Sequence, residues 1–152
     1  MKKTMHWMLS LLMVVALALT GCRAAFTDAK KLMQYELGGD TIPSITSVVG
    51  EREVTGVESS TKDGVSSKQY TYSSASVYDD LLAYVKKLTG DGWLVTQDID
   101  LNVMPGSGQL GKKASEEGWI LLISLAYEDG KYAIKISKTE GTITAQAEQT
   151  EA

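Results

Sequence analysis

Alternation of apolar and polar side chains is clearest in WILLISLAYEDGKYAIKISK, residues 119–138. Trp119, Leu121, Ile123, Leu125 and Tyr127 share one side of an extended strand, and Tyr132, Ile134 and Ile136 continue that face beyond Asp129-Gly130. Asp-Gly favours a two-residue type I′ turn, in which both central residues take positive φ. That turn pairs Tyr127 with Tyr132, Leu125 with Ile134 and Ile123 with Ile136. The opposite face then pairs Ala126 with Ala133, Ser124 with Lys135 and Leu122 with Ser137, all smaller or more polar. Turn chemistry and periodicity demand the same register, so this hairpin is expected to carry the core.

A second hairpin is expected around Asp63-Gly64, with strands over Glu51–Ser60 and Ser67–Ser73. Its turn sets Val57 beside Tyr70 and Thr55 beside Tyr72. Val54 then has the wrong parity for the buried face, which a bulge at Gly56 corrects. Between the hairpins, residues 74–93 predict the main helix. Ser76 stands at the N-cap, Asp79 and Asp80 in the first turn, Lys86 and Lys87 in the last, and Gly90 at the left-handed C-terminal position. Val77, Leu81, Tyr84, Val85 and Leu88 form its apolar stripe. Trp93–Leu101 alternates as a further strand, with Trp93, Val95, Gln97, Ile99 and Leu101 on one side.

These elements predict an α+β fold: one main helix packed on an antiparallel sheet of about five strands, two hairpins plus one strand, as a two-layer sandwich. The folded domain is expected over residues 41–144. Residues 22–40 read as a linker with a short helix from Asp28 to Leu37, ended by Gly38 and Gly39, and residues 145–152 as a polar, disordered tail.

Rare residues change the picture more than bulk composition does. The chain has 152 residues, one cysteine and one histidine, and both of these lie near its start. Lys2 and Lys3 precede an apolar run from Met8 to Leu19 broken only by Ser10. As a helix that run spans about 18 Å, short of the ~30 Å hydrocarbon core, so it reads as a signal-peptide segment rather than a membrane span. Leu19-Thr20-Gly21-Cys22 follows, and it resembles the lipobox of bacterial lipoproteins: an aliphatic residue, two small residues and a cysteine. The resemblance implies cleavage between Gly21 and Cys22, removal of residues 1–21, and acylation of Cys22. It also implies a place on the extracytoplasmic face of the cell membrane.

Processing at that site would remove His6, Lys2 and Lys3, so the formal charge of −4 becomes more negative. No thiol would remain for catalysis or disulfides once Cys22 is acylated. An acidic body does not recommend nucleic acid as a partner, and the glycine-rich loop at residues 105–115 does not recommend a nucleotide.

The glycine-rich stretch PGSGQLGKKAS, residues 105–115, offers the sharpest chemical motif. Gly106, Gly111 and Lys112 stand at P-loop spacing, and Gly106, Gly108 and Gly111 spell GxGxxG. Lys113 occupies the place of the Mg²⁺-binding Ser or Thr, however, and Ala114–Gly118 is too short for the helix that either motif requires. The stretch is therefore expected to be a mobile surface connection between strands. Lys112 and Lys113 beside Ser115 look too well solvated for a serine–lysine dyad. Asp79, Asp80, Asp98, Asp100, Glu116 and Glu117 supply the carboxylates from which a hydrolytic pair would have to come. No metal-binding pattern and no cofactor motif is present.

The runs SITSVVGEREVTGVESS and QLGKKASEEGWILLISLAYEDGKYAIKISKTEGT resemble small lipoproteins of Gram-positive anaerobic bacteria, a resemblance that carries no catalytic residue. The expectation is a lipid-anchored binding or accessory module of the cell envelope, not an enzyme, held to the membrane through Cys22. Its partner would be an envelope protein or a small ligand. Tyr70, Tyr72, Trp93 and Trp119 are the candidate binding-surface residues, because Tyr and Trp are enriched at interfaces. A small carboxylate-dependent envelope hydrolase and a structural subunit of a membrane complex are the alternatives.

Overall fold

A computed structural model describes residues 26–143. In chain order its elements are α1 (26–31), β1 (Gln34–Leu37), β2 (Asp40–Pro43), α2 (Ile45–Val49), β3 (Glu53–Lys62), β4 (Val65–Ser73), α3 (Val77–Gly90), β5 (Leu94–Gln97), β6 (Gly106–Lys113), β7 (Trp119–Glu128) and β8 (Lys131–Glu140). The expected architecture of one main helix on about five strands is overturned. The fold is mostly β: strands hold half of the described residues, in a two-stranded and a six-stranded sheet, with three short helices. The expected signal segment, the expected cleavage between Gly21 and Cys22 and the expected 145–152 tail lie outside the described residues.

The large sheet has the order β3-β4-β8-β7-β6-β5, every neighbouring pair antiparallel. Its centre is the β7–β8 hairpin, with the expected register: Tyr127 faces Tyr132, Leu125 faces Ile134 and Ile123 faces Ile136; its turn is not the expected type I′, because Gly130 takes positive φ and Asp129 does not. In the β3–β4 hairpin Val57 faces Tyr70, and the turn residues Asp63 and Gly64 both take positive φ. A register shift between Val54 and Gly56 puts Val54, not Thr55, opposite Tyr72. The bulge turns the apolar Val54 inward and leaves Thr55 in solvent.

α3 carries the chain from β4 to the far edge at β5, and β6, β7 and β8 then return strand by strand until β8 closes on β4. Its stripe of Val77, Leu81, Tyr84 and Leu88 is buried. Ser76 makes no side-chain cap; the Ser74 hydroxyl instead accepts from the Ser76 N–H. The helix runs through Gly90, and the left-handed residue is Gly92, beyond the C-cap Asp91.

Two stretches account for the extra strands. The segment expected as a linker forms the β1–β2 hairpin, whose turn is Gly38-Gly39 at positive φ, and only residues 26–31 before it are helical. Tyr35, Leu37 and Ile42 of this hairpin are buried in the main core, and Tyr35 stacks on Tyr70 with ring centroids 4.5 Å apart. The glycine-rich stretch is β6, paired on both sides with β5 and β7. The strand expected over Trp93–Leu101 is correspondingly short, because the chain leaves the edge after Gln97 and folds over the inner face of β6.

Candidate binding surface

The glycines of β6 are explained by their neighbours and not by a phosphate. A Cβ at Gly108 would collide with the Ile99 side chain and lie 3.0 Å from the Asp98 carbonyl oxygen. One at Gly106 would strike the Tyr127 ring and lie 2.7 Å from the Val103 carbonyl oxygen. Gly111, on the other face, is crowded by Ile143, Thr96 and Leu122. The segment 98–103 can therefore lie against the sheet, with Leu101 buried and the Tyr127 hydroxyl donating to the Asp100 carbonyl at 2.9 Å. β6 leads through a short turn into a strand, with no helix N-terminus to receive a phosphate.

The carboxylates are dispersed. Asp79, Asp98, Asp100, Glu116 and Glu117 are exposed. Asp80 is 2% exposed and saturated: it accepts from Arg52 Nε and Nη2 at 2.7 Å each, from the Ser74 hydroxyl at 2.7 Å and from the Tyr132 hydroxyl at 3.2 Å. Burial alone would raise its pKa, but the Arg52 guanidinium and the two hydroxyls outweigh that and hold it below the usual carboxylate value. It clamps α3 to β4, β8 and the segment before β3.

A second buried charge was not visible in sequence. Lys138 falls at a core-facing position of β8, opposite Leu121, and is 6% exposed. Its Nζ lies 3.0 Å from Asp40 Oδ2 and 3.3 Å from Glu116 Oε2, donates to the Gly38 carbonyl at 2.7 Å, and sits over the Trp119 ring. The hydrogen bond to Asp40 raises its pKa above the usual lysine value. Asp40 makes no hydrogen bond through Oδ2 other than this ionic contact, and its Oδ1 accepts from Ser115 N–H at 2.8 Å. Burial would raise the Asp40 pKa, but the Ser115 N–H and Lys138 lower it.

Asp40 and Asp91 line a polar depression of about 410 Å³ with Trp93, Lys112 and Lys113. Asp40 is ion-paired with Lys138 and Asp91 with Lys87. A glycosidase needs one carboxyl with a raised pKa to serve as acid, and Asp40 is shifted the other way. Lys112 Nζ donates to the Asp91 carbonyl at 2.9 Å, and the Ser115 N–H donates to Asp40 Oδ1 at 2.8 Å. Among the described residues, no group of three or more His, Cys, Asp and Glu is placed to hold a metal ion.

The candidate aromatics require correction. Tyr72 is fully buried, Tyr70 and Trp93 nearly so, and Trp119 is half-buried against Lys138. The Tyr72 hydroxyl shares a 2.6 Å hydrogen bond with that of Tyr35, which also accepts from the Ile45 N–H at 3.3 Å. Burial raises the pKa of both phenols. Tyr70 and Tyr72 are internal because the β1–β2 hairpin and α2 cover that end of the sheet, a layer the expected domain boundary at residue 41 had divided.

Among the described residues the other face of the sheet carries no helix, and Ile143 lies over it only beside Gly111. Each helix gives its buried residues, Ala29, Ile45 and the α3 stripe, to the inner core. On the outer face Glu58, Gln69, Lys135, Ser124 and Gln109 stand side by side across β3, β4, β8, β7 and β6. Thr96 Oγ1 donates to Gln109 Oε1 at 3.0 Å and Gln109 Nε2 donates to Ser124 Oγ at 3.1 Å, extending this polar row to β5. The adjacent row is Gly56, Thr71, Ala133, Ala126 and Ser107, small throughout. Thr71, Ala133 and Ala126 of this row floor a trough of about 280 Å³ whose lining includes Pro105 and the exposed ion pair of Glu128 and Lys131. Small and uncharged side chains let a partner approach the backbone closely, and the ordered amides and hydroxyls offer both donors and acceptors. The polar members of this face were legible in the β7–β8 alternation; the breadth of the row was not.

Comparison of the chain with protein-family models, with curated proteins and with solved structures returns no match.

Proposed function

We propose that this protein is a lipid-anchored, non-enzymatic accessory module on the extracytoplasmic face of the cell membrane, which binds an envelope protein through the outer face of its six-stranded sheet. The location rests on Leu19-Thr20-Gly21-Cys22 behind a basic and apolar leader. The observation that carries the binding reading is the polar row from Glu58 to Gln109 beside the small-residue trough, on a sheet face without a helical cover among the described residues. Lipidation through Cys22 gives stable anchoring where two or more acyl chains are attached. No helix among the described residues is long and apolar enough to cross a membrane.

Photocrosslinking in intact cells tests the binding reading. A crosslinker at exposed Ala126 is expected to capture one envelope protein, whereas a crosslinker at exposed Asp79 on α3 captures none. Ala126→Arg should abolish that capture while changing stability by no more than about 0.5 kcal/mol. Equal, unselective capture at both positions would remove the sheet face as the binding surface. Cys22→Ser tests the anchor: the variant should leave the membrane fraction, and its retention there would refute lipid attachment.

A further inference from the structure

The described fold begins at Phe26, four residues after Cys22. Four residues of fully extended chain span at most about 14 Å. α1 is not a free leader. The Thr46 hydroxyl donates to the Lys30 carbonyl at 3.1 Å, the Ser44 hydroxyl donates to the Leu32 carbonyl, and the Ser44 N–H donates to the Met33 carbonyl at 3.2 Å. Ala29 is buried, and Phe26 and Leu32 pack against the core. Whatever holds Cys22 therefore holds this corner of the folded domain within about 14 Å of itself.

That corner has an unusual surface. Met33 is 59% exposed, the most exposed large apolar side chain described. It borders a shallow dent of about 320 Å³ shared with Gln34, Thr41, Ile42, Pro43 and Ser47, none of them acidic. Exposed charges of both signs surround it, Lys31 and Lys30 with Asp28 and Glu36, and Lys30 is paired with Glu51 at 3.2 Å, so no single sign of charge dominates this corner. An exposed apolar side chain held on so short a tether from an acylated residue is placed to settle at a bilayer interface. The open sheet face lies on the other side of the β-sheet, because α1, β1, β2 and α2 all belong to the layer that covers the inner core.

We propose that the surface around Met33 and Gln34 rests in the interfacial zone of the bilayer beside the acylated Cys22, fixing the orientation of the domain and turning the outer sheet face away from the lipid. This rests on the anchor reading given above, and the bilayer is the occupant.

The test uses the full chain, lipidated in a bacterial host and reconstituted in vesicles of phosphatidylcholine and phosphatidylglycerol, with part of the lipid carrying a nitroxide on its acyl chain. An environment-sensitive fluorophore is placed on Met33→Cys or Gln34→Cys, or on Ala126→Cys or Lys135→Cys of the outer face; acylated Cys22 does not react. All four positions are exposed, so labelling leaves the core intact. Quenching several-fold stronger at Met33 and Gln34 than at Ala126 and Lys135 is expected. Equal quenching at all four positions, or stronger quenching on the outer face, overturns the orientation if the protein still floats with the vesicles. Failure to float refutes the anchor, and the orientation falls with it.

Discussion

Asp80 is the residue whose removal should cost the fold most per atom lost. Asp80→Ala strands the Ser74 and Tyr132 hydroxyls, and a buried unpaired polar group costs about 1–3 kcal/mol. It also deprives Arg52 of its partner. Breaking a fully buried ion pair costs about 3–5 kcal/mol, but the Arg52 side chain is 28% exposed and water recovers part of its solvation. The expected total is therefore about 3 kcal/mol, from a stability that for a domain of this size is about 5–15 kcal/mol. Urea denaturation of the chain from Arg23 onward, followed by circular dichroism, measures it.

The pH dependence supplies a second, independent reading. Because the folded carboxyl titrates below its unfolded value of about 3.9, its contribution is complete above that pH and is lost as pH falls through the folded value. Asp80→Asn keeps the shape and loses the charge, so the gap between wild type and variant should be constant near neutrality and narrow below about pH 4. An Asp80→Ala penalty under about 1 kcal/mol, or a gap that persists unchanged into acid, would refute the clamp.

The same Gly→Ala change should have opposite signs at two places. Gly108→Ala forces a methyl into Ile99 and should destabilise by about 1–3 kcal/mol, largely relieved by adding Ile99→Ala, as a double-mutant cycle in urea would show. Gly90→Ala meets nothing within 4 Å at the end of α3 and should stabilise by about 0.5 kcal/mol; a loss there would mean that the helix end is misread. Burial raises the pKa of Tyr35, Tyr70, Tyr72, Tyr84, Tyr127 and Tyr132, so the unfolded chain ionises first and stability should fall as pH rises above about 10. Phenolate absorbance from these groups and the loss of circular dichroism should then rise and fall in one transition; full ionisation ahead of unfolding would contradict their burial.

Much of the central sheet was legible because its determinants are neighbours in sequence. Asp129-Gly130 and the period-two alternation around it set the register of β7–β8 without reference to any other element, and Asp63-Gly64 did the same for β3–β4. The α3 stripe follows from the 3.6-residue period alone. The outer face of the sheet was half legible for the same reason: once the large residues of β7 and β8 face inward, Ser124, Ala126, Ala133 and Lys135 must face out.

The rest depended on partners distant in sequence. Gln34–Leu37 and Asp40–Pro43 are too short to announce themselves as strands, and they become a hairpin layer because Tyr35 can stack on Tyr70 and bond to Tyr72. Gly106, Gly108 and Gly111 argue locally for a loop; they lie in a strand paired on both sides, where Tyr127, Ile99 and Ile143 occupy the space their side chains would need. Lys138 stands at a core-facing position of β8, and what allows its charge to be buried there is pairing with the sequence-distant Asp40 and Glu116. The sequence by itself determined the turns, the periodicities and, through the motif at Cys22, the expectation of a membrane address. Which side of the sheet is covered, and so where a partner could bind, was decided only by the tertiary structure, because burial is set by contacts between residues that local pattern cannot relate.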